Sequence, residues 1–416
     1  MNNTSMDTIY RLSQAMVQVR DLNEALDSVL DEVVELLNVS KVSVMTYDSK
    51  NDVLKVIAAR GLDPSVIEKA LVRRGEGISG KVFASSEPIL IEDIRTSSFD
   101  EKGKYKTRSL MSAPVTCFPM KVGDIPLGVI NVTDRNDGKS FDEKDMELLK
   151  TISNQFAVYL HLVNLAIRDK EHERMREQLE IARQIQYRLL PLTPPKIDGL
   201  DIAGRLITAE RVGGDYYDCF VHDERKSSFV VADVSGHSVG AGLVMAAFRA
   251  ALKAQLDNVY SPSILMEHVN KILFQDLYQA EQFITVAYIQ YQKSRQQIVC
   301  TVAGHPPILV WRNQEEKFVE ITTDDPCLGI EPSPMFHEKS EILSKGDIVV
   351  LYTDGATEVA NARGERFGMQ RLKACIADSS EVSAKQISDI IVENVQSFSD
   401  PNPLKDDVTA LVLKIV

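Results

Sequence analysis

Several aspartates stand where apolar runs end. Asp215 follows Gly213-Gly214, and Asp233 closes Phe229-Val230-Val231-Ala232. Asp354 comes just after Ile348–Tyr352 and Thr353, and Asp406-Asp407 stand directly before Val408–Leu413. A strand that delivers a carboxylate at its tip suits a hard divalent cation, because Mg²⁺ and Mn²⁺ prefer oxygen ligands. Carboxylates gathered from several strand ends repel one another unless cations lie between them. Two metals roughly 3.5–4 Å apart are the usual arrangement for phosphoryl chemistry.

Neighbouring strands must bring these ends together. Between them lie two helical stretches, Gly240 to Leu256 and Pro262 to Tyr278. The first is apolar on several faces, the pattern of a helix buried between layers. A competing site is Cys219 with Arg225, which share the C-x5-R spacing of cysteine-dependent phosphatases. The intervening Phe-Val-His-Asp-Glu has no glycine and places two acids where an anion would sit, which would raise the thiol pKa and repel phosphate.

The ordered segments VGGDYYD (212–218), DVSGHSVGAGL (233–243), QFITVAY (282–288), AGHPPILV (303–310), CLGI (327–330), YTDGATEVAN (352–361), GERFG (364–368) and DDVTALVL (406–413) resemble a known family. It is the metal-dependent PPM (PP2C-like) serine/threonine phosphatases, in their SpoIIE/RsbU-like branch, and the likeness covers about residues 180–416. It implies a β-sandwich flanked by helices and two ions, Mn²⁺ or Mg²⁺. It implies a metal set of Asp233 as bridging carboxylate with the Val234 carbonyl, Asp354 and Asp406, while Asp215 holds waters and Asp407 occupies a position that the family often fills with Asn. A water shared by the ions would attack a phosphoserine or phosphothreonine, the expected substrate being a STAS-type anti-sigma-factor antagonist. His237, His305 and Arg211 lie in or near these motifs, either as site groups or as structural ones, and Ser238 replaces a common glycine.

Length and composition agree with this organisation. A chain of 416 residues suggests two or three domains. Its 44% hydrophobic and 26% charged residues are ordinary for a soluble globular protein. The net charge of −13, without an evident basic face, argues against general nucleic-acid binding. The beginning MNNTSMDTIYRLSQ has no basic stretch leading into an apolar core, and no run approaches a membrane span. Five widely spaced cysteines without a CxxC pair suit a reducing cytoplasm.

Upstream, Leu22, Ala25, Leu26, Val29, Leu30, Val33, Leu36 and Leu37 recur on a helical period, with Asp21 as N-cap. Alternating runs Lys41–Tyr47 and Val53–Ile57 then read as a hairpin around Asp48–Asp52. With GEGISGKV (75–82), PLGVINV (126–132) and a long helix over 141–166, residues 15–165 resemble a GAF domain, a small α/β sensory fold. That resemblance allows a small-molecule ligand or dimerisation and names no ligand. Arg60, Lys104, Tyr105 and Arg108 are either an anion pocket or solvated surface charge.

Residues 166–190 contain neither Gly nor Pro and read as helix, with Met175, Leu179, Ala182, Gln186 and Leu189 at coiled-coil spacing. A helix packed on its own domain would show the same stripe. Pro191 ends it. The expected organisation is α+β and multidomain: a GAF-like domain over 1–165, a helical linker over 166–191 in a parallel homodimer, and a phosphatase domain over 192–416. Two rivals stand against it. One is a pseudophosphatase that binds a partner without turnover; the other is a diguanylate cyclase, suggested by GGDYY, which lacks the TDG and DDVT partners.

Overall fold

The computed structural model describes residues 22–93, 110–115, 127–191, 193–236, 239–256 and 261–416. Asp21, Lys104, Tyr105, Arg108, Cys117, His237 and Ser238 lie outside them. The chain divides into two compact units, Met1–Glu173 and Arg174–Val416.

In the first unit, α1 (Leu22–Leu37) precedes β1 (Val39–Asp48), β2 (Val53–Arg60), α2 (Pro64–Lys69), β3 (Leu71–Arg73), α3 (Gly77–Ser85), β4 (Ile89–Ile91), β5 (Leu110–Val115) and β6 (Gly128–Arg135). The six strands form one sheet in the order β3-β2-β1-β6-β5-β4. The helical period of the sequence is realised: Leu26, Val29, Leu30, Val33 and Leu37 are buried against Val42, Val44, Ile130 and Val132. The hairpin also forms, with Asp48 paired to Val53 and Tyr47 to Leu54. Ile78, Val82 and Phe83 of α3 cover the other face, on Met45, Leu54 and Val129. Arg60 reaches back to Asp27 and Asp31 at 2.7 Å each. Its guanidinium is spent on carboxylates, as the surface-charge reading expects.

A single helix, α4 (Glu143–Leu189), runs 47 residues across the division between the units. Leu149, Ile152 and Phe156 join the core of the first unit. In the second, Gln186 is buried and Leu189 packs on the core, whereas Met175 is 63% exposed. From Leu179 onward the apolar stripe therefore faces its own unit.

The second unit continues with β7 (Leu200–Ile207), β8 (Tyr216–Val221), β9 (Lys226–Val234), α5 (Val239–Gln255), α6 (Pro262–Ala280), β10 (Ile284–Gln292), β11 (Gln297–Ala303), β12 (Ile308–Arg312), β13 (Lys317–Ile321), β14 (Lys339–Ile342), β15 (Ile348–Tyr352), α7 (Gly355–Glu358), α8 (Gly368–Asp378), α9 (Ala384–Ser399) and β16 (Val408–Ile415). Two five-stranded sheets result, β14-β11-β10-β9-β8 and β13-β12-β15-β16-β7. Phe229 and Val231 of β9 meet Val349, Leu351, Leu411 and Leu413 between the sheets. The alternate residues Val230, Ala232 and Val234 face α5 and α6, and Val350, Ala410 and Val412 face α9. Strands covered on both faces read as unbroken apolar runs, which is why the aspartates stood out at their ends.

The expected sandwich flanked by helices is the observed fold. One detail differs. Helix α5 is not enclosed on all sides: Ala241, Met245, Phe248 and Leu252 are buried, but Leu243 is 69% exposed. Its apolar residues exceed what one sheet and α6 can cover. Among the described residues, no helix is long and apolar enough to cross a membrane.

Candidate metal centre

Antiparallel pairing gathers the aspartates. Tyr216 at the start of β8 pairs with Ala232 near the end of β9, which sets Asp215 beside Asp233. Tyr352 at the end of β15 pairs with Ala410 near the start of β16, which sets Asp354 beside Asp406 and Asp407. One end of the sandwich thus carries acids from both sheets.

The two halves are tied across the core. Asp215 is 1% exposed, and its Oδ2 accepts hydrogen bonds from Thr353 Oγ1 at 2.8 Å and from Thr409 Oγ1. The Thr353 hydroxyl also accepts from Thr409 N at 3.0 Å. Burial, followed by the charges of Asp233 and Asp407, raises the pKa of Asp215 well above the carboxylate range. Asp233 is pushed up to about 8, by burial first and then by Asp354, Asp406 and Asp407, with relief from a hydrogen bond to Asp215. Asp354 is raised by burial, Asp406 and Glu358. Its Oδ1 is buried with no hydrogen-bond partner.

Asp407 is 3% exposed and serves as a backbone clamp. Its Oδ1 accepts from Ala209 N at 2.8 Å and its Oδ2 from Gly214 N at 2.9 Å. A Cβ on Gly213 would stand 1.8 Å from Asp407 Oδ2, so the turn admits no side chain there. The Val234 carbonyl faces the same turn, 2.5 Å from where a Cβ on Gly214 would lie. Asp406 is exposed, and its Oδ1 accepts from Asp407 N at 2.9 Å.

The donor set fits a hard divalent cation. It is all oxygen, it holds an orphaned carboxylate oxygen on Asp354, and its acids raise one another's pKa. Among the described residues, no three His, Cys, Asp or Glu side chains already converge on one point as ligands. Asp215 and Asp407 instead accept hydrogen bonds from protein donors, Thr353 Oγ1 and Gly214 N.

His305 lies behind this cluster and outside it. Its Nδ1 meets Thr285 Oγ1 at 2.7 Å, and Thr285 is the strand partner of Asp233. Burial lowers its pKa to about 3, so it is a neutral imidazole, and its Nε2 makes no hydrogen bond. Arg211 is not at the carboxylates; its Nη1 donates to the Arg176 carbonyl of α4 at 3.1 Å. Cys219 is half-buried and its thiol pKa is raised, first by burial and then by Asp218, the reverse of a poised nucleophile. A cavity of about 700 Å³ lined by Lys196, Val221, Arg225 and Lys293 sits at the opposite end of β8 and β9 from the aspartates.

Thr353, Thr409 and Gln186 are the contributors that pattern reading passed over. A hydroxyl or amide at an otherwise apolar, buried position must find a partner, and that demand was the available signal.

Comparison with known proteins places this geometry. The SiaA PP2C domain of Pseudomonas aeruginosa superposes with a TM-score of 0.54 at 19% identity, over 59% of this chain and 99% of that one. The second unit has the fold of a PPM, or PP2C-like, phosphatase. A family model described as stage II sporulation protein E (SpoIIE) matches residues 223–416, and a GAF domain model matches residues 19–161. Phosphoserine phosphatase RsbU of Bacillus subtilis (strain 168) is 29% identical over 245 residues, 58% of this chain and 71% of RsbU. Phosphoserine phosphatase RsbP of the same organism is 27% identical over 187 residues, 44% of this chain and 46% of RsbP. The chain matches the GAF model and then the SpoIIE model in succession, and it is a serine/threonine protein phosphatase similar to RsbU and RsbP. Asp215 lies upstream of the matched SpoIIE segment, so its assignment rests on the geometry above.

Proposed function

We propose that this phosphatase hydrolyses phosphoserine or phosphothreonine on a partner protein at the aspartate cluster, using two Mn²⁺ or Mg²⁺ ions. The observation that carries this reading is the gathering of Asp215, Asp233, Asp354, Asp406 and Asp407 at one end of both sheets, where the carboxyl pKa values of Asp215, Asp233 and Asp354 are raised. Asp233, the Val234 carbonyl, Asp354 and Asp406 would hold the ions. Asp215, fixed by its two threonines, would orient water, and Asp407 would keep the Gly213–Asp215 turn in place. When bound, the ions supply charge for the phosphoryl oxygens and acidify the attacking water. No side chain has to become phosphorylated. Likeness to the RsbU-like branch supports a STAS-type antagonist as substrate.

The assigned organisation is a GAF-like sensory domain over 1–165, a helical linker over 166–191 and a catalytic domain over 192–416. The uninterrupted α4 supports a mechanical role for the linker, because a helix carries rotation where a Gly/Ser tether would not. Ile181 and Ile185, 58% and 59% exposed on successive turns, support a homodimer through α4. Sedimentation equilibrium should give twice the chain mass, falling to one on Ile181→Glu with Ile185→Glu; a monomeric wild type would refute the dimer. The reduced cysteines Cys219, Cys300, Cys327 and Cys375 support a cytoplasmic setting.

Phosphate release from a phosphoserine protein or peptide tests the activity. Turnover by the full chain should require Mn²⁺ or Mg²⁺ and stop with chelator. Absence of turnover at millimolar Mn²⁺, with a phosphoprotein still bound, would instead establish a docking module.

A further inference from the structure

The residues of the 209–215 segment belong to no strand, so their backbone groups must find partners elsewhere. Gly213 finds both of its partners on one side chain. Gln186, on the last turn of α4 and 8% exposed, donates from Nε2 to the Gly213 carbonyl at 2.7 Å. Its Oε1 accepts from Gly213 N at 3.1 Å. The amide thus imitates the edge of a neighbouring strand, and the reciprocal pairing fixes which way it points. Apolar side chains of Ala182, Leu189, Val212 and Ala246 surround it.

From the opposite side Asp407 holds Ala209 N and Gly214 N. The segment is therefore gripped between the last turns of α4 and the acid before β16, and Asp215 is its final residue. Arg211 adds a second tie to the same helix, through the Arg176 carbonyl.

We infer that Gln186 is a positioning residue: through Gly213 it sets where Asp215 stands and how Asp407 meets the turn, so the metal affinity of the centre depends on how α4 is seated. This rests on the metal-site reading above and deepens it. A slip of α4 by one residue carries the amide about 1.5 Å along the axis and about 100° around it, off Gly213 entirely. The buried N–H and C=O of Gly213 would then be unpaired, and the turn would move to satisfy them. Helix position is read out as ion binding, with no need for α4 to touch substrate.

The test uses the full chain as wild type, Gln186→Ala, Gln186→Glu, Asp233→Asn and, as a surface control, Gln184→Ala, since Gln184 is exposed. Mn²⁺ affinity is measured by isothermal titration calorimetry, and phosphopeptide turnover is followed across Mn²⁺ concentration. Both Gln186 variants should bind Mn²⁺ at least tenfold more weakly. They should recover most of kcat at saturating Mn²⁺ with KM for the peptide unchanged within twofold, while Gln184→Ala matches wild type. Should Gln186→Ala fail to fold, Gln186→Glu decides, because it keeps the side-chain length and the acceptor for Gly213 N. Wild-type Mn²⁺ affinity in a folded Gln186 variant overturns the inference alone. Absence of Mn²⁺ binding by wild type, or full binding by Asp233→Asn, overturns the metal-site reading and the inference with it.

Discussion

Asp233→Asn is expected to lower kcat/KM for a phosphoserine peptide about 10³-fold or more, roughly 4 kcal/mol of barrier, while leaving the fold intact. Asp233 stands at the centre of the repulsion, facing Asp354, Asp406 and Asp407 with Asp215 alongside. Asparagine keeps the shape, removes the charge and weakens any cation site built there. The same change should have an opposite effect on the chelated protein. A carboxyl whose pKa moves from 3.8 to about 8 on folding binds its proton more tightly in the native state. The native state therefore loses stability relative to the unfolded chain as pH rises through that window. In chelator, wild-type Tm should fall between pH 4 and pH 8, and the Asn variant should fall less and melt higher at pH 8. Mn²⁺ should raise the wild-type Tm and leave the variant nearly unmoved. Differential scanning calorimetry with and without chelator checks all three. A variant that melts lower than wild type in chelator at pH 8 would contradict the assigned repulsion, and one that retains turnover would contradict the assigned centre.

The second large effect is expected from Gly355→Ala. Gly355 follows Asp354 where the end of β15 passes the start of β16, and a Cβ there would lie 1.9 Å from the backbone oxygen of Asp407. Backbone on a strand end cannot swing aside as a long side chain can, so the two chains must part. Overpacking of this kind costs about 1–3 kcal/mol. For a unit of this size that is a fall in Tm of roughly 3–10 °C. The rate should suffer more, because parting these strands separates Asp354 from Asp406 and Asp407. A displacement near 1 Å can lower catalysis about 100-fold. Tm and phosphate release on the same preparation test the pair; wild-type values for both would mean that the strand ends do not need this close approach.

Periodicity made much of the architecture legible. Leu26, Val29, Leu30, Val33 and Leu37 fall on the buried face of α1, the Asp48–Val53 hairpin forms in the expected place, and the apolar runs ending in Asp233 and Asp354 are central strands. What periodicity cannot say is which partner covers a given face. The stripe through Leu179, Gln186 and Leu189 suits a second helix equally well, yet in the structure it lies on the chain's own catalytic unit. The richly apolar α5 suggested enclosure, but Leu243 stands in the open. The acids were visible as acids, while their division of labour was not. Asp407 faces backbone N–H groups because of a turn nearly two hundred residues earlier in the chain, and no local spacing records that meeting. Thr353 and Thr409 were hidden for the same reason: their shared partner, Asp215, stands just before a strand of the other sheet.

That division across two sheets has a consequence for tolerance to change. Neither sheet owns a complete centre, so registration between the layers is itself a functional dimension, held by the filling of Phe229, Val231, Val349, Leu351 and Leu411 between them. Trimming one of these side chains would let one layer settle toward the other and slide the acids out of alignment, though each stayed bonded to its own strand. The apolar interior thus acts as the shim that keeps two half-sites level, and catalytic rate should report its thickness before any loss of fold can be detected.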